Sequence, residues 1–431
     1  MPTRVSGLTA GEVRAAWAAS GAVALTGRPG GPPLVPPGRG AAVARALADR
    51  LAAHTSRTGR AVRVDGARLL TERAAYLGLE RRGPVSAGGA CRLLPTADGW
   101  AAVSCARPDD PALLGAVVGA EVGADPWPAV AAWLRDHTGA ELAERAGLLG
   151  VAAGPVVRAP VPPPPVEPPE SFEPRPLEGA LVVDFSALWA GPLCAHLLGL
   201  AGARVVKVEI PGRPDGARRG DPGFYRLLHA GHRSVVLDPG TPGGRRALAA
   251  LVDAADIVIE ASRPRALARF GLDAGAAVAA GTTWVSITAY GRCADRVGFG
   301  DDVAAASGVV GREPDGAPLF CGDAIADPLT GLTAAVLAST APPGGGGVLW
   351  DVAMARVVAS TLDPGDDPVP SPAAVPDGHG GWRVDTGAGS VPVALPARRE
   401  PSEGGAGAAG KAPEMGADTA EVLRGLGIPP P

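Results

Sequence analysis

Residues 181–209 read LVVDFSALWAGPLCAHLLGLAGARVVKVE. An apolar run, LVVDF, passes through a small-residue loop, SALWAGP, into an apolar helical stretch, LCAHLLGLAG, and then into a second apolar run, ARVVKVE. A strand that is apolar on both faces has to be covered on both faces. Two such strands joined by a helix make a parallel βαβ unit. The pattern extends outward: SVVLD (234–238), DIVIEA (256–261) and TWVSITAY (283–290) predict three more strands. Helices are expected between them over GTPGGRRALAALVDAA and RPRALARFGL. This alternation predicts an α/β fold, with a doubly wound, Rossmann-like parallel sheet over residues 177–364. Ligands of such sheets sit beyond the carboxyl ends of the strands, which here are 186–192, 209–211, Asp238, 261–262 and 290–292.

Downstream lies LFCGDAIADPLTGL (319–332), a short extended run with Asp323 and Asp327 that breaks at Pro328 into a helix, TGLTAAVLAST. A carboxylate at such a corner either caps the helix or points into a cleft as a nucleophile or base. Asp323 is expected to be a solvated or turn residue.

Upstream, residues 1–93 contain a helix (GEVRAAWAAS), a Gly/Pro-rich turn, an amphipathic helix (AAVARALADRLAAHTSR) and an expected strand (AVRVDGARLL). Residues 94–157 predict a smaller α+β domain. It has a hairpin about Asp98 and Gly99 and two short helices in PWPAVAAWLRDHTGAELAERAGLLG. A Pro-rich linker covers 158–176. A Pro/Gly-rich tail, 365–431, ends in a short helix, DTAEVLRGLG, expected to pack on the large domain. The chain also repeats itself: AASGAVALTGRPGGPPL from Ala18 matches AASGVVGREPDGAPL from Ala305. Aligned on Pro33-Leu34 and Pro318-Leu319, Asp327 falls opposite Ala42. One copy carries the carboxylate and the other has none.

With 46% apolar and 19% charged residues and a net charge of −4, the composition is that of a globular protein without the basic balance of a nucleic-acid binder. No apolar run reaches a membrane span, and the opening MPTRVSGLTAGEVRAAW lacks a signal peptide's apolar core. The five cysteines are scattered and not in metal spacing, so reduced thiols in a cytoplasmic protein without a metal are expected. Gly344–Gly347 precede a strand, not a helix, and do not form a phosphate cradle. No G-x-G-x-x-G follows the first strand, which argues against a nicotinamide enzyme.

The runs VVDFSALWAGPLCAHLLGLAGARVVKVEIPG, HAGHRSVVLDPGTPGGRRALAALVDAADIVIEASRPRALARFGL, VSITAYGRCADRVGFGDDVAAASGVVGREPDGAP and AIADPLTGLTAAV resemble, colinearly, the class III CoA-transferases. That family includes formyl-CoA transferase, carnitine CoA-transferase and α-methylacyl-CoA racemase. Residues 1–157 resemble the segment after the family's nucleophile and its small domain, so the chain resembles two incomplete tandem copies. The resemblance implies an acyl-CoA:carboxylate CoA-transferase in which Asp327 forms an acyl-aspartyl anhydride and then an aspartyl-CoA thioester. The partners would be an acyl-CoA and a carboxylic acid acceptor, with coenzyme A as substrate and no permanently bound cofactor. It implies CoA contacts at Trp189, Ala190, Gly191, Ile210, Leu237, Ala261, Ser262, Ala266 and Arg269. Trp189 stands at an often polar position and either stacks on the ligand or plugs the cleft. Where the family has Asn-Phe-Arg before Pro-Gly, this chain has Ala261-Ser262-Arg263 before Pro264-Arg265. These departures favour the alternative, a catalytically inactive CoA-binding or scaffold relative. Asp301 and Asp302 either position a substrate or cap a helix. Phe299 occupies the position of the racemases' histidine and cannot carry a proton, which disfavours a two-base racemase. His229 and His232 are expected to be structural. The family's interlocked homodimer and a monomer closed on itself both remain open.

Overall fold

The structure, a computed structural model, describes residues 7–157, 161–262, 264–363, 370–399 and 411–431. Helix α1 (Ala10–Ser20) starts at a capping box, in which the Thr9 hydroxyl accepts from Glu12 N while the Glu12 carboxylate accepts from Thr9 N. Helix α2 (Gly40–Thr58) and the short α3 (Glu72–Leu77) follow. The strand expected within 61–70 is absent. Residues 61–65 have no sheet partner, and Asp65 instead caps the short helix Gly66–Leu69. Strands β1 (Cys91–Thr96), β2 (Gly99–Ser104) and β3 (Ala153–Pro155) form an antiparallel sheet whose hairpin turns at Ala97 and Asp98. Helices α4 (Asp110–Val118), α5 (Trp127–Leu134) and α6 (Gly139–Leu149) pack on that sheet around their own core, which includes Leu114, Val130, Leu134 and Leu142.

The central sheet contains β4 (Leu181–Asp184), β5 (Arg204–Glu209), β6 (Arg233–Val236), β7 (Ile257–Glu260), β8 (Thr283–Thr288) and β9 (Val348–Ala353). All pairings are parallel, in the order β9-β8-β7-β4-β5-β6. The chain winds outward from β4 to β6 and returns to lay β7 on the other side of β4. The loops leaving β4 and β7 therefore diverge and open a crevice between them. Side chains alternate between the two faces. Val182, Val205, Ile257 and Ile259 face one core, and Val183, Val206, Val208 and Val258 face the other.

Helices α7 (Ala190–Leu200), α8 (Pro222–His229), α10 (Gly300–Ala306) and α11 (Ala326–Ala338) stand on the first side, and α9 (Pro242–Asp253) is on the second. The last helix, α12 (Thr419–Gly425), docks on β6: Asp418 accepts from Ser234 N and from Arg233. Helices α7 and α11 touch at their backbones, since a Cβ on Gly331 would lie 2.5 Å from the Ala190 carbonyl. The α1–α2 segment shares this side's core, with Trp17, Leu47 and Leu51 packed among Leu193, Leu197, Leu329 and Leu332.

The sequence repeat is also a structural one. Leu34 N donates to Thr26 O, and Leu319 pairs with Gly311 in the matching register. Gly27 O accepts from Gly83 N, as Arg312 O accepts from Ser371 N, both at 2.9 Å. The two copies then exchange partners. Gly83 O accepts from Phe320 N of the second copy, and Pro372 O accepts from Val35 N of the first. The first half of the chain is thus threaded into the second.

Candidate active site

A cleft of about 620 Å³ opens beside the β4/β7 crevice, between the first half of the chain and the sheet. Helix α11 projects Asp327 into it. Asp327 is half-buried and open to the cleft, while every other residue of α11 is buried. Gly300, at the start of α10, lies against the carboxylate: a Cβ there would come within 2.1 Å of Asp327 Oδ2 and 2.5 Å of Ala324 O. The Ala190 N–H, at the amino end of α7, lies beside the same carboxylate and favours its charged form. Backbone donors and the helix dipole at this end favour negative charge.

Around Asp327 sit three more carboxylates. Asp301 Oδ1 accepts from Ala324 N at 2.9 Å and so steadies Ala324, whose φ is 43°. Asp302 Oδ1 accepts from Phe299 N and from the Ser104 hydroxyl, both at 2.8 Å, capping α10 and tying it to β2. Asp323 is not the solvated turn residue expected. It is fully buried and is gripped by Arg73 of α3 through Nε at 2.9 Å and through Nη2. A carboxylate this enclosed requires a cation, and the first half of the chain supplies it.

Burial pushes Asp327 up to about 7, against the pull of Arg73; Asp301 adds to the rise, the Ala190 N–H opposes it and Asp323 contributes further. Burial likewise raises Asp301 to about 6 and Asp302 to about 7.

The loop between β4 and α7 is held from beneath. Asp184 Oδ1 accepts from Ser186 N, and Lys207 Nζ donates to Ser186 O at 2.9 Å. Lys207 pairs with Asp215 at 2.8 Å, and Asp215 Oδ1 accepts from Leu188 N, fixing Leu188 at a φ of 70°. Trp189 lines the cleft, edge-on to Phe224 at 5.4 Å, with the Arg73 guanidinium 5.4 Å from its ring centroid. Gly191 permits the tight turn, because a Cβ would meet Ser186 at 2.2 Å.

The other sequence-predicted contacts lie outside the cleft lining. Ile210 is half-buried in the turn after β5, and Leu237 is buried in the second core. Ala261 is exposed and Ser262 half-buried just after β7, Ala266 is half-buried and Arg269 exposed. Arg263 lies outside the described residues. His229 and His232 are buried, and burial lowers both. They stand beside Lys207 and Tyr225 and do not line the cleft. Arg233 pairs with Asp418 and Glu421 on the surface. Sequence reading missed Arg73, Ser104 and Leu77 as parts of the cleft. The available signal was two carboxylates inside an apolar stretch, which implies a cation but does not say from where. Among the described residues, no group of three or more His, Cys, Asp or Glu is arranged to hold a metal, and no helix is long and apolar enough to cross a membrane.

Residues 177–365 match the model of CoA-transferase family III. The succinate–glutarate CoA-transferase of Agrobacterium fabrum is 34% identical over 177 residues, covering 36% of this chain and 44% of that protein. The succinyl-CoA–D-citramalate CoA-transferase of Chloroflexus aurantiacus is 29% identical over 208 residues, covering 44% and 52%. The chain spans about half the length of these curated relatives. Among solved structures, a CAIB/BAIF family protein from Brucella suis aligns with a TM-score of 0.43 at 27% identity, covering 51% of this chain and 65% of that one.

Proposed function

We propose that the chain, whose residues 177–365 match the model of CoA-transferase family III, is an acyl-CoA:carboxylate CoA-transferase with Asp327 as its nucleophile. The observation that carries this reading is the setting of Asp327. It is the cleft-facing carboxylate at the amino end of α7, with Gly300 packed so closely that no side chain could intervene.

In the proposed reaction an Asp327 oxygen attacks the thioester carbonyl, and CoA leaves as thiolate. The resulting acyl-aspartyl anhydride is as activated as a thioester, so the steps run in either direction. The thiolate attacks the aspartyl carbonyl and releases the first acid, leaving an aspartyl-CoA thioester. The acceptor carboxylate attacks that thioester and expels the thiolate. The thiolate then takes the new acyl group and regenerates Asp327. The Ala190 N–H supplies a fixed donor where oxyanion charge develops. The relatives named for succinate, glutarate and citramalate support a carboxylate acceptor. In this reading Trp189, Ala190 and Gly191 flank the thioester. The rest of CoA follows the carboxyl edge of the sheet past Ile210, Ala261, Ser262 and Ala266 toward Arg269.

Incubation with an acyl-CoA and hydroxylamine, followed by peptide mass spectrometry, should place a hydroxamate on Asp327. Asp327→Asn should give none. Tight CoA binding without an adduct across a broad acyl-CoA panel would leave only a binding relative.

A further inference from the structure

We propose that the acyl group taken by this cleft is apolar, a branched, medium-chain or aromatic monocarboxylate, and that the Arg73–Asp323 pair selects against acyl groups bearing a second carboxylate. This rests on the acyl-CoA reading above.

The walls supply the first observation. Leu77, Pro108, Leu188, Trp189, Phe224 and Phe299 line the cleft. Both leucines are unusually open, Leu77 at 40% and Leu188 at 42% exposure. Leu188 is not there by drift, since Asp215 holds its N–H and its backbone is left-handed. A leucine fixed with an open side chain in a concave site is matched by an apolar ligand surface.

Charge supplies the second. Three arginines line the cleft. Arg73 spends Nε and Nη2 on Asp323, and Arg107 spends Nε on Asp110 and Nη2 on Gly150 O. Arg219 is exposed, on the short helix Gly216–Arg219. Near the reacting carbon, Asp301, Asp323 and Asp327 outnumber Arg73. A second carboxylate seated beside Asp327 would therefore meet negative potential where the one guanidinium, Arg73, is already committed to Asp323, which costs affinity. An apolar acyl group pays neither penalty.

Titration calorimetry of the full chain with isovaleryl-CoA, benzoyl-CoA, succinyl-CoA and glutaryl-CoA tests the proposal, with the Asp327 adduct followed in parallel. The first two should bind at least about tenfold more tightly than the last two. Asp323→Asn, which releases Arg73, should tighten succinyl-CoA by about fivefold or more and leave isovaleryl-CoA little changed. Leu77→Arg, at an open position, should shift preference the same way without disturbing the buried pair, and so stands if Asp323→Asn does not fold. Succinyl-CoA binding as tightly as isovaleryl-CoA to the unmodified chain would overturn the proposal. The ranking decides it even if no adduct forms, an outcome that would instead overturn the transferase reading. Failure of all four to bind would overturn both.

Discussion

Asp327 titrates in the range where an aspartate nucleophile would begin to lose its charge. Burial raises it to about 7, and in the proposed reaction only the carboxylate form would attack. We predict that kcat/KM for acyl-CoA falls about tenfold per pH unit below that value, measured as a pH–rate profile. The same shift has a consequence for stability. A carboxyl group raised above its unfolded value of about 3.9 stabilises the fold fully below that pH and loses the contribution as pH rises through the folded value. For Asp327, Asp301 and Asp302 the loss falls between about pH 4 and the values near 6 and 7. Asp327→Asn should therefore raise Tm relative to the unmodified chain at pH 8 and change it little at pH 4, checked by thermal unfolding at both. Gly300→Ala places a methyl group 2.1 Å from Asp327 Oδ2. It should cost about 1–3 kcal/mol of stability and most of the adduct formation, read by urea unfolding and hydroxylamine trapping.

Helices α7 and α11 bring Ala190 to Asp327 only because their backbones touch at Gly331. We predict that Gly331→Ala, with its Cβ 2.5 Å from Ala190 O, destabilises by about 1–3 kcal/mol with an unchanged urea m-value. It should also slow adduct formation, because the donor moves from the carboxylate. The strands around this pair were legible in sequence. Residues 181–185, 256–261 and 283–290 were expected as strands, and β4, β7 and β8 occupy them to within about two residues. Continuous apolar runs of that length have to be covered on both faces wherever they sit. The expectation failed at 61–70, where AVRV has the composition of a strand but no neighbour. Strand formation depends on a partner, and the places in the sheet are filled by the later half of the chain.

One core joins α1 and α2 to α7, α11 and the sheet, and the exchanged bonds of Gly83 and Pro372 thread each copy into the other. The two halves should unfold together. Variants keeping only Trp17 or only Trp284, on opposite sides of the sheet, should report the same urea midpoint by fluorescence; separate midpoints would show that the halves fold independently. Ala42, opposite Asp327 in the repeat, is buried in the shared core.

Local pattern determined the doubly wound sheet, the hairpin expected about Asp98 and Gly99 and the terminal helix, because period and apolar length are properties of neighbouring residues; the helix expected after Pro328 is also present but starts earlier, at Ala326, and takes Asp327 into its first turn. Tertiary closure alone decided the rest. Asp323 read as a solvated or turn residue and is a buried anion, and Arg73, 250 residues away, which the sequence did not single out, is its counter-ion. Nothing in either local sequence encodes the other. Their pairing follows from the burial that both copies achieve together, and it is this pairing that sets the charge around Asp327.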